Sequence, residues 1–271
     1  MDNKSFSFAE TFPPQLIYLS EILELAKNNY VGDKYDISNI TGIPTGKQSG
    51  KVLPHMKYLG YMGAINYLLD KEKIKLSLTD LGQIIYDNDN FLTLDITKMI
   101  LHYNLNRINK GAIQWSYVFR KYPYEFNKRI PIATITDRAK LEYGKNLDFG
   151  SIKSTYNNGD FFSISPVDFI DKDIIFKSNY LSYEYIGVYG YTLLKELEEN
   201  FIDDNEVTIH NIMDDIRWNK GFGFNYETTI EALDELTIKG YIKLNKQLNP
   251  ITIIRIAKSK DVINEIYDDL I

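Results

Sequence analysis

Gly46-Lys47-Gln48-Ser49-Gly50-Lys51-Val52-Leu53-Pro54-His55-Met56-Lys57-Tyr58-Leu59-Gly60-Tyr61 is the stretch on which the fold turns. Val52, Leu53, Met56 and Leu59 recur at helical spacing and must face a core. Pro54 has no backbone N–H to give, so the helix either begins later than Ser49 or kinks at the proline. Lys47, Gln48, Ser49, Lys51, His55 and Lys57 are then the side chains left to face outward. No Asp or Glu occurs from Ile37 to Leu69, so Lys47, Lys51 and Lys57 give this window a charge of +3. A basic helix of this kind fits the major groove of DNA, and a solvated face carrying ordinary lysines is the alternative.

The flanks support the first reading. Pro13-Pro14 opens a periodic run, Leu16, Ile17, Leu19, Ile22, Leu23, Leu25 and Ala26, that predicts a helix ending near Asn28-Asn29. A second short helix is expected after Asp36 as its cap, stopped by Gly42 and Pro44. Beyond Gly60 and Gly63, two apolar runs meet at the charged turn Asp70–Lys73, which reads as a hairpin, and Thr79 caps a further helix. Three helices followed by a hairpin is the layout of a winged helix-turn-helix.

A dense apolar helix is expected over Phe91–Leu105, and another over Ala112–Tyr122, with Trp115 and Phe119 packing inward. Arg120, Lys121, Lys128 and Arg129 follow, interleaved with Tyr122, Tyr124 and Phe126, a pattern that can bind nucleic acid by charge plus stacking. Past Pro131 the pattern loosens. Helices are expected again over Tyr191–Phe201, Glu206–Ile216 and Tyr226–Ile238, followed by strands at Gly240–Leu244 and Ile251–Ile256. The expected fold is therefore mainly α with small β hairpins (α+β). It holds a winged-helix-like DNA-binding unit over 1–90, a helical, aromatic-rich middle over 91–185 and a second winged-helix-like unit over 186–271. The expected DNA-binding residues are Lys47, Gln48, Lys51, His55, Lys57, Arg120, Lys121, Lys128 and Arg129.

Composition narrows the chemistry. The chain has 271 residues, 44% hydrophobic and 25% charged, with a formal charge of −6, the profile of a globular protein. It has no cysteine, which removes thiol catalysis, disulfides and thiolate metal sites. No apolar run is long enough to span a bilayer, and Met1–Glu10 lacks the layout of a signal peptide, so a cytoplasmic location is expected. Gly42-Ile-Pro-Thr-Gly46-Lys47 has its first glycine one position too close for a phosphate loop, and no strand precedes it. Metal-assisted phosphodiester cleavage would need clustered carboxylates. The candidates are Asp87 with Asp89 and Asp95, Asp168 with Asp171 and Asp173, Asp203 with Asp204, and Asp214 with Asp215. Each set lies beside a turn or helix end, where acids also serve as caps, so the residues alone leave the catalytic group unknown.

Several segments together resemble an SspB-like bacterial domain family of DNA phosphorothioation and phage-defence systems. Phe6-Ser-Phe-Ala-Glu10-Thr11-Phe12-Pro13 looks like the start of that family, with Ala9 where a histidine commonly stands. Gly42-Ile-Pro-Thr-Gly46-Lys47-Gln48, continuing to Tyr58, resembles its glycine-lysine-asparagine helix, with Gln48 in place of the asparagine. Leu101-His102-Tyr103 and Trp115-Ser-Tyr-Val-Phe119 resemble its later helical motif. The resemblance implies a component that binds double-stranded DNA, with an ATPase and sulfur-transfer proteins of the same system as partners. It also implies a DNA nickase (endonuclease), for which Mg2+ or Mn2+ would be the cofactor. A non-catalytic winged-helix adaptor and a transcription regulator are the alternatives.

Overall fold

The computed structural model describes residues 6, 8–204 and 206–268; Ser7 of the opening motif and the first five residues lie outside them. The chain divides into two compact units, one formed by residues 1–122 and 129–175 and the other by 123–128 and 176–271. Among the described residues no helix is long and apolar enough to cross a membrane.

The first unit opens with α1 (Leu16–Lys27), β1 (Val31–Gly32), α2 (Lys34–Thr41) and α3 (Val52–Tyr61). A hairpin follows, β2 (Ile65–Asp70) with β3 (Lys73–Leu78), and then α4 (Asp80–Asp89). Pro54 does fall in the first turn of α3, where its missing donor costs nothing. The cap of α2 is Asp33 rather than Asp36. Asp33 accepts from the N–H groups of Tyr35 and Asp36, while the Asp36 carboxylate reaches back to the Asp33 N–H at 3.1 Å, a closed capping box. Gly42 ends the helix at φ 71°, in the left-handed region that glycine enters freely. Thr79 caps α4 as expected, accepting from the Gly82 N–H at 2.9 Å and donating to the Gly63 carbonyl at 2.6 Å. At Gly82 a Cβ would collide with the Ala64 carbonyl oxygen, so only glycine lets α4 start this close to β2.

The expected hairpin is in fact a three-stranded antiparallel sheet ordered β1-β3-β2. Two-residue β1 is too short to leave a periodic signal. Its partners are Lys75 and Ile74 of β3. Leu19, Ile22, Leu23 and Ala26 of α1, Ile37 of α2, and Val52, Met56 and Leu59 of α3 form the core beneath it.

Next come α5 (Asp95–Asn106) and α6 (Ile113–Ser116), which runs on as a π-helical turn over Tyr117–Lys121. Beyond Pro131, where the sequence pattern loosens, β4 (Arg129–Pro131) is followed by α7 (Ile132–Tyr143), α8 (Phe149–Asn157), β5 (Val167–Ile170) and β6 (Asp173–Phe176). Helix α7 escapes a periodicity reading because it buries only Ile135 and Ala139. The sheet order is β4-β6-β5.

The second unit holds α9 (Ile186–Asn200), β7 (Glu206–Thr208), α10 (Tyr226–Ile238), β8 (Ile242–Asn245), β9 (Thr252–Arg255) and α11 (Ser259–Asp268). The helix expected over Glu206–Ile216 is instead strand β7 followed by a π-helical turn, because Val207 and Ile253 pair across the sheet. Trp218, Phe222, Phe224 and Tyr189 cluster with ring centroids 4.9–6.2 Å apart in this core. The sheet order is β7-β9-β8. One pattern thus recurs three times: a short strand, helical segments, and a hairpin whose second strand takes the short strand as its outer partner.

Candidate functional site

The loop before α3 is fixed at both ends. Thr45 and Gly50 form an isolated antiparallel bridge, the Lys51 N–H donates to the Pro44 carbonyl at 2.7 Å, and Lys34 Nζ donates to the Gly46 carbonyl at 2.7 Å. Its backbone is held while Lys47, Gln48 and Ser49 stand exposed at its tip. Such rigidity spares the ordering entropy that a loose loop pays on binding.

Helix α3 presents three stripes. Val52, Met56 and Leu59 face the core. Leu53 and Lys57 lie outward and are partly exposed. Lys51, His55 and Tyr58, at i, i+4 and i+7, share the third stripe and meet the segment 12–18. Lys51 Nζ donates to Gln15 Oε1 at 2.8 Å and sits 5.0 Å from the Tyr18 ring centroid. Tyr58 donates to the Phe12 carbonyl at 2.9 Å.

His55, expected to face DNA, has no exposed surface. Its Nε2 accepts from the Gln15 N–H at 3.1 Å and its Nδ1 lies 2.7 Å from the Lys51 carbonyl. A carbonyl can only accept, so the proton is on Nδ1 and the ring is neutral. Burial, with a smaller contribution from the Lys51 charge, lowers its pKa to about 4, against the pull of its backbone hydrogen bonds. His55 therefore fastens the N-terminal segment to α3 and cannot reach a ligand.

Hairpin β2–β3 adds cations that the sequence reading passed over. Lys71, Lys73 and Lys75 are exposed, interleaved with Asp70 and Glu72. Their signal was the alternation Lys71-Glu-Lys73-Ile-Lys75, in which Ile74 points inward and the lysines outward. The hairpin tip, Lys34 and Tyr35 of α2, and Leu53 of α3 line one cleft of about 360 Å3. Through Lys34, which anchors Gly46, this cleft joins the Lys47 loop to the hairpin.

The second basic cluster is not one surface. Arg120 has no exposed surface; its Nε donates to Asn106 Oδ1 at 2.6 Å and its guanidinium lies 4.3 Å from the Tyr103 ring centroid. Asn106 Nδ2 donates to His102 Nε2 at 3.0 Å, and His102 Nδ1 meets the Tyr156 hydroxyl at 2.6 Å. Arg120 thus ends a buried polar chain through α5 and α8. Lys121 is half-buried and 3.4 Å from the Tyr143 hydroxyl, and Arg129 is paired with Asp173 at 3.1 Å. Lys128 is exposed and belongs to the second unit.

Among the described residues no three His, Cys, Asp or Glu side chains are grouped to hold an ion. Asp89 instead accepts from the Thr93 and Leu94 N–H groups, both at 2.9 Å. Asp95 pairs with Lys98 at 3.0 Å, and Asp214 lies 3.0 Å from His210.

No family model and no curated protein matches the chain. Solved structures share its fold. One is described as a magnesium ion-bound SspB crystal structure, with a TM-score of 0.77 and 13% identity, covering 98% of this chain and 87% of that one. Another, an SspB crystal structure, gives a TM-score of 0.76 and 14% identity over the same shares.

Proposed function

We propose that this protein is the DNA-binding component of a bacterial DNA phosphorothioation or phage-defence system. In this reading each strand–helix–hairpin pattern is a winged-helix unit, and the first one contacts the duplex. The observation that carries it is the fixed Thr45–Gly50 loop, which exposes Lys47, Gln48 and Ser49 and is tied through Lys34 to a cleft that Lys71 lines together with Asp33 and Glu72. Lysines on flexible stems over a held backbone suit phosphates, while Gln48 has the paired donor and acceptor that a base edge requires. The likeness to SspB structures supports the choice of system, with its ATPase and sulfur-transfer proteins as the expected partners. Lys51 serves this site by anchoring segment 12–18, leaving Lys47 and Lys57 as the cations of the helix region.

Fluorescence anisotropy with a 30-base-pair duplex across salt tests the reading. Binding should weaken steeply with salt, as counterion release demands. A chain that ignores duplex DNA at 50 mM salt but retains a protein of the same system would be an adaptor instead. Nicking is the finer part of this proposal, and relaxation of supercoiled plasmid in Mg2+ or Mn2+, abolished by chelator, is its assay.

A further inference from the structure

The second unit is strongly acidic except in one place. It carries 11 basic and 18 acidic residues, yet from Leu236 to Lys260 there is no Asp or Glu. Six of its bases, Lys239, Lys243, Lys246, Arg255, Lys258 and Lys260, fall in that window, leaving five bases among all 18 acids elsewhere. The window is the end of α10, the β8–β9 hairpin and the start of α11.

Five of the six bases are exposed, and Arg255 is partly so. Acids border the window as well. Asp234 pairs with Lys246 at 2.7 Å, a surface contact with side chains 43% and 46% exposed. Such a pair holds its charges weakly. Glu206 lies opposite Ile254, itself the partner of Lys243, so it sits two strands away on the same sheet face. Glu198 is engaged with the Ser259 N–H and hydroxyl.

Basic hairpins are not a general property of this fold. The β5–β6 hairpin carries Asp168, Asp171 and Asp173 against the single Lys172. The β2–β3 and β8–β9 hairpins, in contrast, concentrate lysine and carry exposed aliphatic side chains as well: Leu68 and Leu69 in the first, and Leu248 with nearby Ile256 in the other. Aliphatic groups beside cations are what a nucleic-acid groove accepts.

We propose that the β8–β9 hairpin is a second nucleic-acid contact surface, binding backbone phosphates through Lys239, Lys243, Lys246, Arg255, Lys258 and Lys260. The choice of nucleic acid as the polyanion rests on the reading of the first unit. The charge segregation stands without it.

The test compares two triple variants of the full chain on the same 30-base-pair duplex, with circular dichroism as the check of folding. In Lys243→Gln, Lys246→Gln, Lys258→Gln, the slope of log affinity against log salt should fall by up to about 2.7, at roughly 0.9 per lost phosphate contact. Lys47→Gln, Lys71→Gln, Lys73→Gln reports on the first unit. If only the first-unit triple changes the slope, this proposal is overturned and the earlier reading survives. If only the second-unit triple does, the reverse holds. A wild-type chain that binds no duplex removes both. Phosphatidylserine vesicles are the control: binding to them that the second triple abolishes, with the DNA slope unchanged, would replace nucleic acid by an anionic membrane surface. All these side chains are exposed or on loops, so Lys239→Gln with Lys260→Gln provides an independent repeat should the triple misfold.

Discussion

The first unit holds the strand, helices and hairpin pattern twice and the second holds it once, with different distributions of charge. Unit one holds 20 basic and 19 acidic residues, with an acid-free window over Ile37–Leu69 that carries three lysines, whereas unit two holds 11 and 18 and gathers more than half its bases into one hairpin and its flanks. Both arrive at a basic hairpin beside a helix. Hydrophobic periodicity builds the pattern each time, and the exposed positions it leaves are free to take either sign. The acidic β5–β6 hairpin shows the same freedom used in the opposite sense. Net charge, at −6, therefore says little about which surface meets a polyanion, since potential is local within a screening length of about 8 to 10 Å.

Four measurements on the first unit, from its buried polar groups to its exposed lysines, sharpen the comparison. The largest effect is expected from Arg120→Ala. Removing a buried cation and stranding Asn106 should cost roughly 3–5 kcal/mol in denaturant unfolding, with no change in the salt slope of DNA binding. A slope change with stability intact would return Arg120 to the binding surface.

Acid should come next. His55 is neutral in the fold and its pKa is lowered to about 4, so the native state binds fewer protons than the unfolded chain, whose histidine titrates near 6.5. Its contribution is whole above pH 6.5 and is lost as pH falls toward 4, about 3 kcal/mol in all. Urea titrations at pH 7 and pH 4.5, with wild type and His55→Gln, would measure it. Equal pH dependence in the two proteins would show that the segment 12–18 is held by other means.

Third is Lys47→Gln, Lys71→Gln, Lys73→Gln, expected to reduce duplex affinity roughly 10- to 100-fold near 0.1 M salt. Its comparison with the β8–β9 triple ranks the two units directly. The smallest effect belongs to the cap of α2. Asp33→Ala opens the capping box and should cost about 1 kcal/mol, readable as a shift in thermal midpoint. A larger loss of DNA affinity than of stability would mean that α2 positions the Lys47 loop through Lys34.

Parts of this molecule are legible residue by residue. Thr79 and Gly42 act at the positions their chemistry requires, the β2–β3 and β8–β9 hairpins fall where turn residues interrupt apolar runs, and Trp115 is buried. The outer strands β1, β4 and β7 span two or three residues each, too few for alternation to register. Helix α7 hid for a related reason, since two buried positions do not make a stripe. In the site, Lys47 and Gln48 stand exposed as the pattern required, while the hairpin lysines went unnoticed because a charged turn looks the same whether or not it faces a cleft.

What the amino-acid order determined by itself is the set of local elements and their caps, because helix period, strand period and turn geometry depend on neighbours a few residues away. Only the tertiary structure decided that Lys51 and His55 hold segment 12–18, that Arg120 closes a buried chain, and that Lys71 stands near Lys34. Periodicity gives the angle between two stripes of a helix. Which distant segment covers each stripe is set by packing among parts of the chain that no local rule connects.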